Sequence, residues 1–321
     1  MLGVLALIGG GAAPASAGTD PGEASIGIRL VDVPEATLDD PRARNYIVDN
    51  VVPGSTIQRR VEVSNEGGTA QTVTMYATSA RIVDGEFTGD AEGSENELSS
   101  WTALSSQTLE LEGGESSNVT VTIAVPADAA EGEQYAAVWA QVTKPAPDGS
   151  MLALASRAGV RLYVSVGPGN GPPADFTLGT LTAERSAEGM PRLVAVVTNT
   201  GGRAVDVSGT LTLTEGPGSM SAGPFSTANA VTIPPGGTHE VSIDLDPAIV
   251  AGPWTANLAL TSGLLSRTAT AEVTFPAEGV IAVETVDAGL PPWVLVAGGA
   301  AAFSVVAAVV ILLVVRRRSR S

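Results

Sequence analysis

From about residue 25 to residue 275 apolar side chains recur at every second position, in short runs. The phase resets at Gly, Pro and Asn, the pattern of half-buried strands joined by turns. Ile26, Ile28 and Leu30 share one face of a first strand, and a polar loop at 34–44 leads to an extended run at 46–52, closed by Pro53-Gly54. Ile57, Arg59, Val61 and Val63 share a side of the next strand, which turns at 65–68; Val73, Met75 and Ala77 line the return. The acidic, Gly- and Ser-rich stretch 84–100 reads as a long surface loop, and Leu109 and Leu111 lead into a turn at 112–114. Val119, Val121, Ile123 and Val125 then alternate with Thr120, Thr122 and Ala124. Strands at 135–142 and 152–166, around a tip loop at 144–150, complete about eight strands, the spacing of a Greek-key sandwich.

The stretch Gly-Pro-Gly-Asn-Gly-Pro-Pro at 167–173 can hold neither a ladder nor a helix and reads as a linker. Beyond it the chain repeats the first grammar. Thr198-Asn199-Thr200-Gly201-Gly202 echoes Ser64-Asn65-Glu66-Gly67-Gly68, and Pro234-Pro235-Gly236-Gly237 echoes Glu112-Gly113-Gly114, again ahead of an alternating strand (Val241, Ile243, Leu245). The stretch around Trp254 echoes the one around Tyr135. The fold class expected is therefore all-β: two immunoglobulin-like β-sandwich domains, 18–166 and 174–275, followed by a stalk at 276–292 and one transmembrane helix. That helix is read at 293–315, uncharged residues that as a helix span about 35 Å, enough for a hydrocarbon core of about 30 Å. Trp293 stands at its outer end, and Arg316, Arg317 and Arg318 in the tail 316–321 orient the basic end inward. At the other terminus Ala15 and Ala17 form a small-x-small cleavage site, so 1–17 reads as a signal peptide. No Lys or Arg precedes its apolar run, which points to a true start upstream of Met1. The localisation expected is the cell membrane, single-pass, with the N-terminal ectodomain outside and a short cytoplasmic tail.

Charge and composition narrow the partners. With the four tail arginines set aside from the 17 basic residues, thirteen remain against 34 acidic ones. Such a chain repels nucleic acid and anionic lipid surfaces. The sequence has no cysteine, so stability rests on packing. One lysine, Lys144, against sixteen arginines, with abundant Ala and Gly, is the bias of a high-GC Gram-positive bacterium.

The catalytic inventory is thin. The one histidine, His239, opens an alternating strand beside Glu240, and no G-x-S-x-G or S-x-x-K motif accompanies it. Asp84, Glu86, Asp90, Glu92, Glu95 and Glu97 crowd one loop. Hard oxygen ligands on a flexible backbone suit Ca²⁺, but their spacing matches no calcium-loop pattern, and a solvated acidic loop is the simpler reading. Among the scarce aromatic residues, Trp139, Tyr135 and Trp254 lie in small-residue or alternating strands and read as core. Tyr46 and Trp101 sit in polar settings, which makes them the candidates for touching a ligand.

The order signal peptide, β-domain, smaller β-domain, span, basic tail resembles the WxL-interacting proteins of Gram-positive cell surfaces. The stretches that carry the resemblance are VVPGSTIQRRVEVSNEGGTAQTVTMYATSA (51–80), LELEGGESSNVTVTIAVPADAAEGEQYAAVW (109–139) and SRAGVRLYVSV (156–166), then RLVAVVTNTGG (192–202). The resemblance implies a peptidoglycan-binding first domain and a partner-binding second one. The expected function is a membrane-anchored binding or scaffold protein, without enzymatic activity or cofactor, contacting cell-wall peptidoglycan, surface proteins or both. A membrane-tethered hydrolase and an accessory subunit of a membrane complex stand as alternatives.

Overall fold

The computed structural model describes residues 26–33, 41–145, 153–186, 189–276 and 282–283. Their contacts divide the chain into two compact units. Unit 1 takes 1–175 with Gly201–Val205 and Thr232–Gly236; unit 2 takes Phe176–Thr200, Asp206–Val231 and 237–321. Both are built from strands.

In unit 1 the strands are β1 (Ile26–Leu30), β2 (Ile47–Val51), β3 (Thr56–Asn65), β4 (Gln71–Val83), β5 (Glu86–Gly89), β6 (Thr102–Leu104), β7 (Thr108–Leu111), β8 (Ser116–Ala124), β9 (Gly132–Pro145) and β10 (Ala153–Val166). One sheet runs β1-β3-β8-β6. The other runs β2-β10-β9-β4-β5, with β7 also on β4. The alternation read from the sequence places the core. Val61, Val63, Val119, Val121 and Ile123 from the first sheet meet Val73, Met75, Val138, Val160 and Leu162 from the second, all buried. Successive residues of a strand face opposite sides, so the intervening threonines and arginines fall outside.

The remaining strands, all in unit 2 except Val205 of β13 and Thr232 and Ile233 of β15, are β11 (Phe176–Arg185), β12 (Pro191–Asn199), β13 (Val205–Gly216), β14 (Met220–Ser226), β15 (Val231–Ile233), β16 (Thr238–Asp244), β17 (Trp254–Ser262), β18 (Leu265–Val273) and β19 (Ala282–Val283). Their sheets run β16-β12-β11-β19 and β14-β13-β17-β18, with β15 on β13. Leu181, Leu193, Val197, Val241 and Ile243 on the first and Leu211, Leu213, Trp254, Leu258 and Leu260 on the second are all buried. The neighbours β1-β3-β8 and β10-β9-β4 of unit 1 recur as β11-β12-β16 and β18-β17-β13. The internal repeat is therefore topological. Its matched asparagines, Asn65 and Asn199, are both fully buried. In the turns that lead into β8 and β16, Gly114 and Gly236 both adopt positive φ, 78° and 70°, a backbone that a side chain disfavours.

Three expectations change. The stretch 84–100 is not a plain loop: it contains β5 and the four-residue helix α1 (Glu97–Ser100), capped by Asn96 and Ser99 reciprocally. Tyr135 and Trp139 are not core residues. In β9 the inward set is Ala136, Val138, Ala140 and Val142, so the intervening aromatics face outward, only partly buried. Ring size misleads where strand phase decides. The third concerns the membrane. The span at 293–315, Trp293, Arg316, Arg317 and Arg318, and the cleavage site at Ala15 and Ala17 all lie outside the described residues. Among the described residues no helix is long and apolar enough to cross a membrane, which takes about 20 residues where α1 has four. The single-pass arrangement is corrected on that finding and takes no further part in the functional reading.

Candidate functional site

The strand β10 is paired unevenly. On one side β9 pairs with it over its full length, from Ala153↔Pro145 to Val166↔Gly132. On the other, β2 runs parallel to it only from Leu162↔Ile47 to Val166↔Val51. From 153 to 161 that second edge is paired with no strand among the described residues. The cause lies just before β2. The 3-10 turn at Pro41–Arg44 buries Arg42 and Ala43, and Tyr46 closes the turn by donating its N–H to the Arg42 carbonyl at 2.8 Å. The chain therefore reaches β10 only at Ile47.

The outer face of this sheet carries unusual chemistry. All four tyrosines of the chain, Tyr46, Tyr76, Tyr135 and Tyr163, lie there or beside it with Phe87 and Trp139, whereas the outer face of a sandwich is ordinarily polar. The β4–β5 hairpin explains it by folding across the face. Phe87 stacks 5.1 Å from Tyr163 and 6.3 Å from Tyr135, and the Trp139 indole lies under Gly89, where a Cβ would come within 2.5 Å of the ring. Trp139 Nε1 donates to Thr78 Oγ1 at 2.9 Å. The indole also crosses Gly159 of β10, whose Cβ position is again 2.5 Å from the ring, and so it extends toward the free edge. Two arginines of that edge stack on the aromatic layer. Arg157 lies 4.1 Å from the Trp139 ring, and Arg161 lies 5.0 Å from both Tyr46 and Phe87.

Behind this layer runs a buried polar chain. Glu133 accepts from the Tyr135 hydroxyl at 2.7 Å and from the Ala204 N–H at 2.6 Å, while Arg42 Nη1 donates to the Ala204 carbonyl at 2.5 Å. Burial raises the Glu133 carboxyl above its ordinary value, against the lowering pull of those donors and of Arg42; burial and the neighbouring Glu133 charge raise the Tyr135 phenol too. A carboxyl whose folded pKa exceeds its unfolded one favours folding at low pH. That advantage is lost as pH rises from about 4.5 through the folded value. Glu133→Gln should abolish this slope. Thermal melts from pH 4 to neutral should show the wild type losing stability relative to the variant as pH rises. Parallel curves would contradict the assignment.

The other candidates are dispersed. Trp101 caps the end of α1 and packs its side chain against the unit 1 core, while its carbonyl accepts from the Ala124 N–H at 3.0 Å. Of the acidic loop, Asp90 is held by Ser79 Oγ at 2.7 Å and by Arg81, and Glu92 accepts from Gln141 at 3.4 Å. Asp84 takes positive φ in the turn and Glu86 opens β5, so the four candidate calcium ligands are split between a turn, a strand and two side-chain contacts. Among the described residues no three His, Cys, Asp or Glu side chains gather as a metal site. His239 lies on β16 and, with Arg192, Val194, Val196, Thr238, Glu240 and Ser242, lines a shallow groove of about 520 Å³. Strand alternation puts Thr238, Glu240 and Ser242 on one face and His239 on the other, so the histidine cannot serve either hydroxyl as a base. This corrects the hydrolase alternative. The uneven edge of β10 carries no local sequence signal, although Tyr46, a candidate for its polar setting, stands at its lower end.

No protein-family model and no curated protein matches the chain. Among solved structures it is similar to the E. coli chaperone DraB, at 14% identity over 78% of this chain and 98% of that one, with a TM-score of 0.40. It is also similar to the complex of the Salmonella enterica SafA pilin with the SafB chaperone (11%, 78% and 97%, TM-score 0.42). A third is the CsuC–CsuE chaperone–tip adhesion subunit complex of Acinetobacter baumannii (15%, 72% and 96%, TM-score 0.37). These neighbours are chaperones, two of them in complex with a pilin or a pilus tip subunit, and not WxL-interacting proteins. The resemblance drawn from the sequence is corrected accordingly. Peptidoglycan binding and the wall-binding function came with that resemblance and fall with it; the Gram-positive source, read from the arginine-over-lysine bias, is corrected with them. At such identities and TM-scores the likeness assigns this chain neither activity nor partner.

Proposed function

We propose that the chain is a non-enzymatic protein-binding module, and that unit 1 receives an extended segment of a partner protein along the free edge of β10. The observation that carries this reading is the pairing itself: β9 along the whole strand, β2 along its last five residues, and no described strand beside 153–161. A row of unpaired backbone N–H and C=O groups is a template for one more strand, and strand addition draws its affinity from those main-chain hydrogen bonds. Residues on the two sides of the edge give it a grain. Ala158 and Val160 point toward the core side, with Ile26 and Ile28 of β1 packed on that core, while Arg157, Gly159 and Arg161 point outward. An added strand would therefore meet an apolar flank on one face and a cationic, aromatic flank on the other.

Hydrogen exchange on the full chain tests this directly. Alternate amides of 155–161 should exchange far faster than those of 162–166, which are paired on both sides. Nine-residue peptides selected on the full chain from a displayed random library should slow the exchange of 155–161 and leave β16 unchanged. Equal protection of both segments in the free chain, or selected peptides that protect only other strands, would overturn the proposal.

A further inference from the structure

The outward flank of the β10 edge is a charge pattern without its complement. Resting on the strand-addition reading, we propose that this edge selects acidic strands: segments with a carboxylate at two positions four residues apart, opposite Arg157 and Arg161, and a ring or large apolar residue midway, opposite Gly159.

The chain carries 34 acidic against 17 basic residues, so carboxylates outnumber the cations that could pair with them, and several arginines do find one. Arg29, Arg59, Arg60, Arg81 and Arg192 each do. Arg157 and Arg161 do not among the described residues. Arg157 Nη1 makes one long bond, 3.3 Å, to the Asp90 carbonyl, and otherwise stacks on Trp139. Arg161 is held between two rings, each 5.0 Å away, and makes no hydrogen bond to a described residue. Stacking occupies the faces of a guanidinium and leaves its in-plane N–H donors available, in the orientation that suits a bidentate carboxylate. Holding the group in place beforehand also reduces the entropy lost when a partner binds.

Spacing sets the pattern. Along a strand, residues 157, 159 and 161 share one face at intervals of about 6.6 Å, and side chains directly opposite on an added strand approach to about 5 Å. A strand laid against this edge places its residues k, k+2 and k+4 opposite Arg157, Gly159 and Arg161. The middle position meets no side chain of β10. It meets the Trp139 indole, which Gly159 allows across the strand. Its neighbours k+1 and k+3 face the core side, where Ala158 and Val160 lie. The selected strand thus alternates, with apolar residues inward and acid, ring, acid outward.

Three synthetic peptides test the inference on the full chain: Ser-Val-Glu-Val-Tyr-Val-Glu-Val-Ser, the same peptide with both Glu replaced by Gln, and the same with both replaced by Lys. The Glu peptide should bind tighter than the Gln peptide by about fivefold for each pair, about 25-fold together, and should protect 155–161 from exchange. The double variant Arg157→Glu, Arg161→Glu should reverse the order and prefer the Lys peptide. Equal affinity of the Glu and Gln peptides, with 155–161 protected by both, would overturn the charge selection and leave strand addition standing. Peptides that bind without protecting 155–161, or that fail to bind at all, would overturn both. The Glu–Gln comparison needs only the wild-type chain, so the test survives a double variant that misfolds.

Discussion

Asn65→Leu is expected to destabilise the chain by about 3 kcal/mol, although leucine is close in size and apolar. Asn65 ends β3 and is 0% exposed. Its Nδ2 donates to the carbonyls of Thr69, Leu111 and Glu112, at 2.8, 3.0 and 3.1 Å, and its Oδ1 accepts from the Gly67 N–H at 3.0 Å. One amide therefore ties two turns together. Its own N–H donates to the Glu115 carbonyl and its carbonyl accepts from Gly114, each at 2.9 Å, so the backbone completes the clasp. Leucine would strand three carbonyls and one N–H, and buried groups left unmatched cost about 1–3 kcal/mol each, less where water enters a turn. Urea denaturation followed by far-UV circular dichroism measures the loss. Asn65→Asp sharpens the test, because its carboxylate retains the Gly67 bond but faces three carbonyl oxygens. It should be at least as damaging at neutral pH and should recover as acid protonates it. A leucine variant as stable as wild type would show that water already serves those groups.

The recurrence of that clasp bears on how far the sequence can be read. Asn65 and Asn199 match as parts of a repeated turn, and both prove to be buried pivots between a strand end and a Gly-rich turn. Local grammar of this kind is legible because the cause is local: an amide that closes a turn, a glycine that takes positive φ, valines on every second position. The strand β8 is legible almost residue for residue for the same reason. The features that escape are decided by residues distant in sequence. The stretch 84–100 has turn composition, yet β5 forms because Ala80–Val83 offers it an edge, from Ala80↔Gly89 to Val83↔Glu86. Tyr135 and Trp139 face outward because the strand phase gives the inward places to alanine and valine, and they become half-buried only because the β4–β5 hairpin comes to cover them. The open edge of β10 is harder still. Nothing in Arg157–Arg161 says that β2 will begin at Ile47 and leave the edge above it open; the turn at Pro41–Arg44, distant in the chain, decides that. The arginines themselves are ordinary surface residues until the rings on either side of them are in place.

Trp254 is where the second large loss is expected. It opens β17 at 2% exposed, and its Nε1 donates to the Val250 carbonyl at 2.9 Å. The indole packs on Gly216, where a Cβ would collide with the ring at Cζ3, and beside Gly252, where one would fall 2.9 Å from Cδ1. Trp254→Ala should cost about 3–5 kcal/mol, through lost burial, an unfilled cavity and the Val250 carbonyl left without its donor. Trp254→Phe keeps most of the ring and should lose about 1–2 kcal/mol. Gly216 supplies the control. Gly216→Ala should destabilise the wild-type chain because its methyl group overlaps the indole, yet should be tolerated once the indole has gone. The double variant Gly216→Ala, Trp254→Ala should then be no less stable than Trp254→Ala alone, a strong departure from additivity between groups in contact. Additive losses would mean that the ring does not rest on Gly216, and the packing of Trp254 in unit 2 would have to be redrawn.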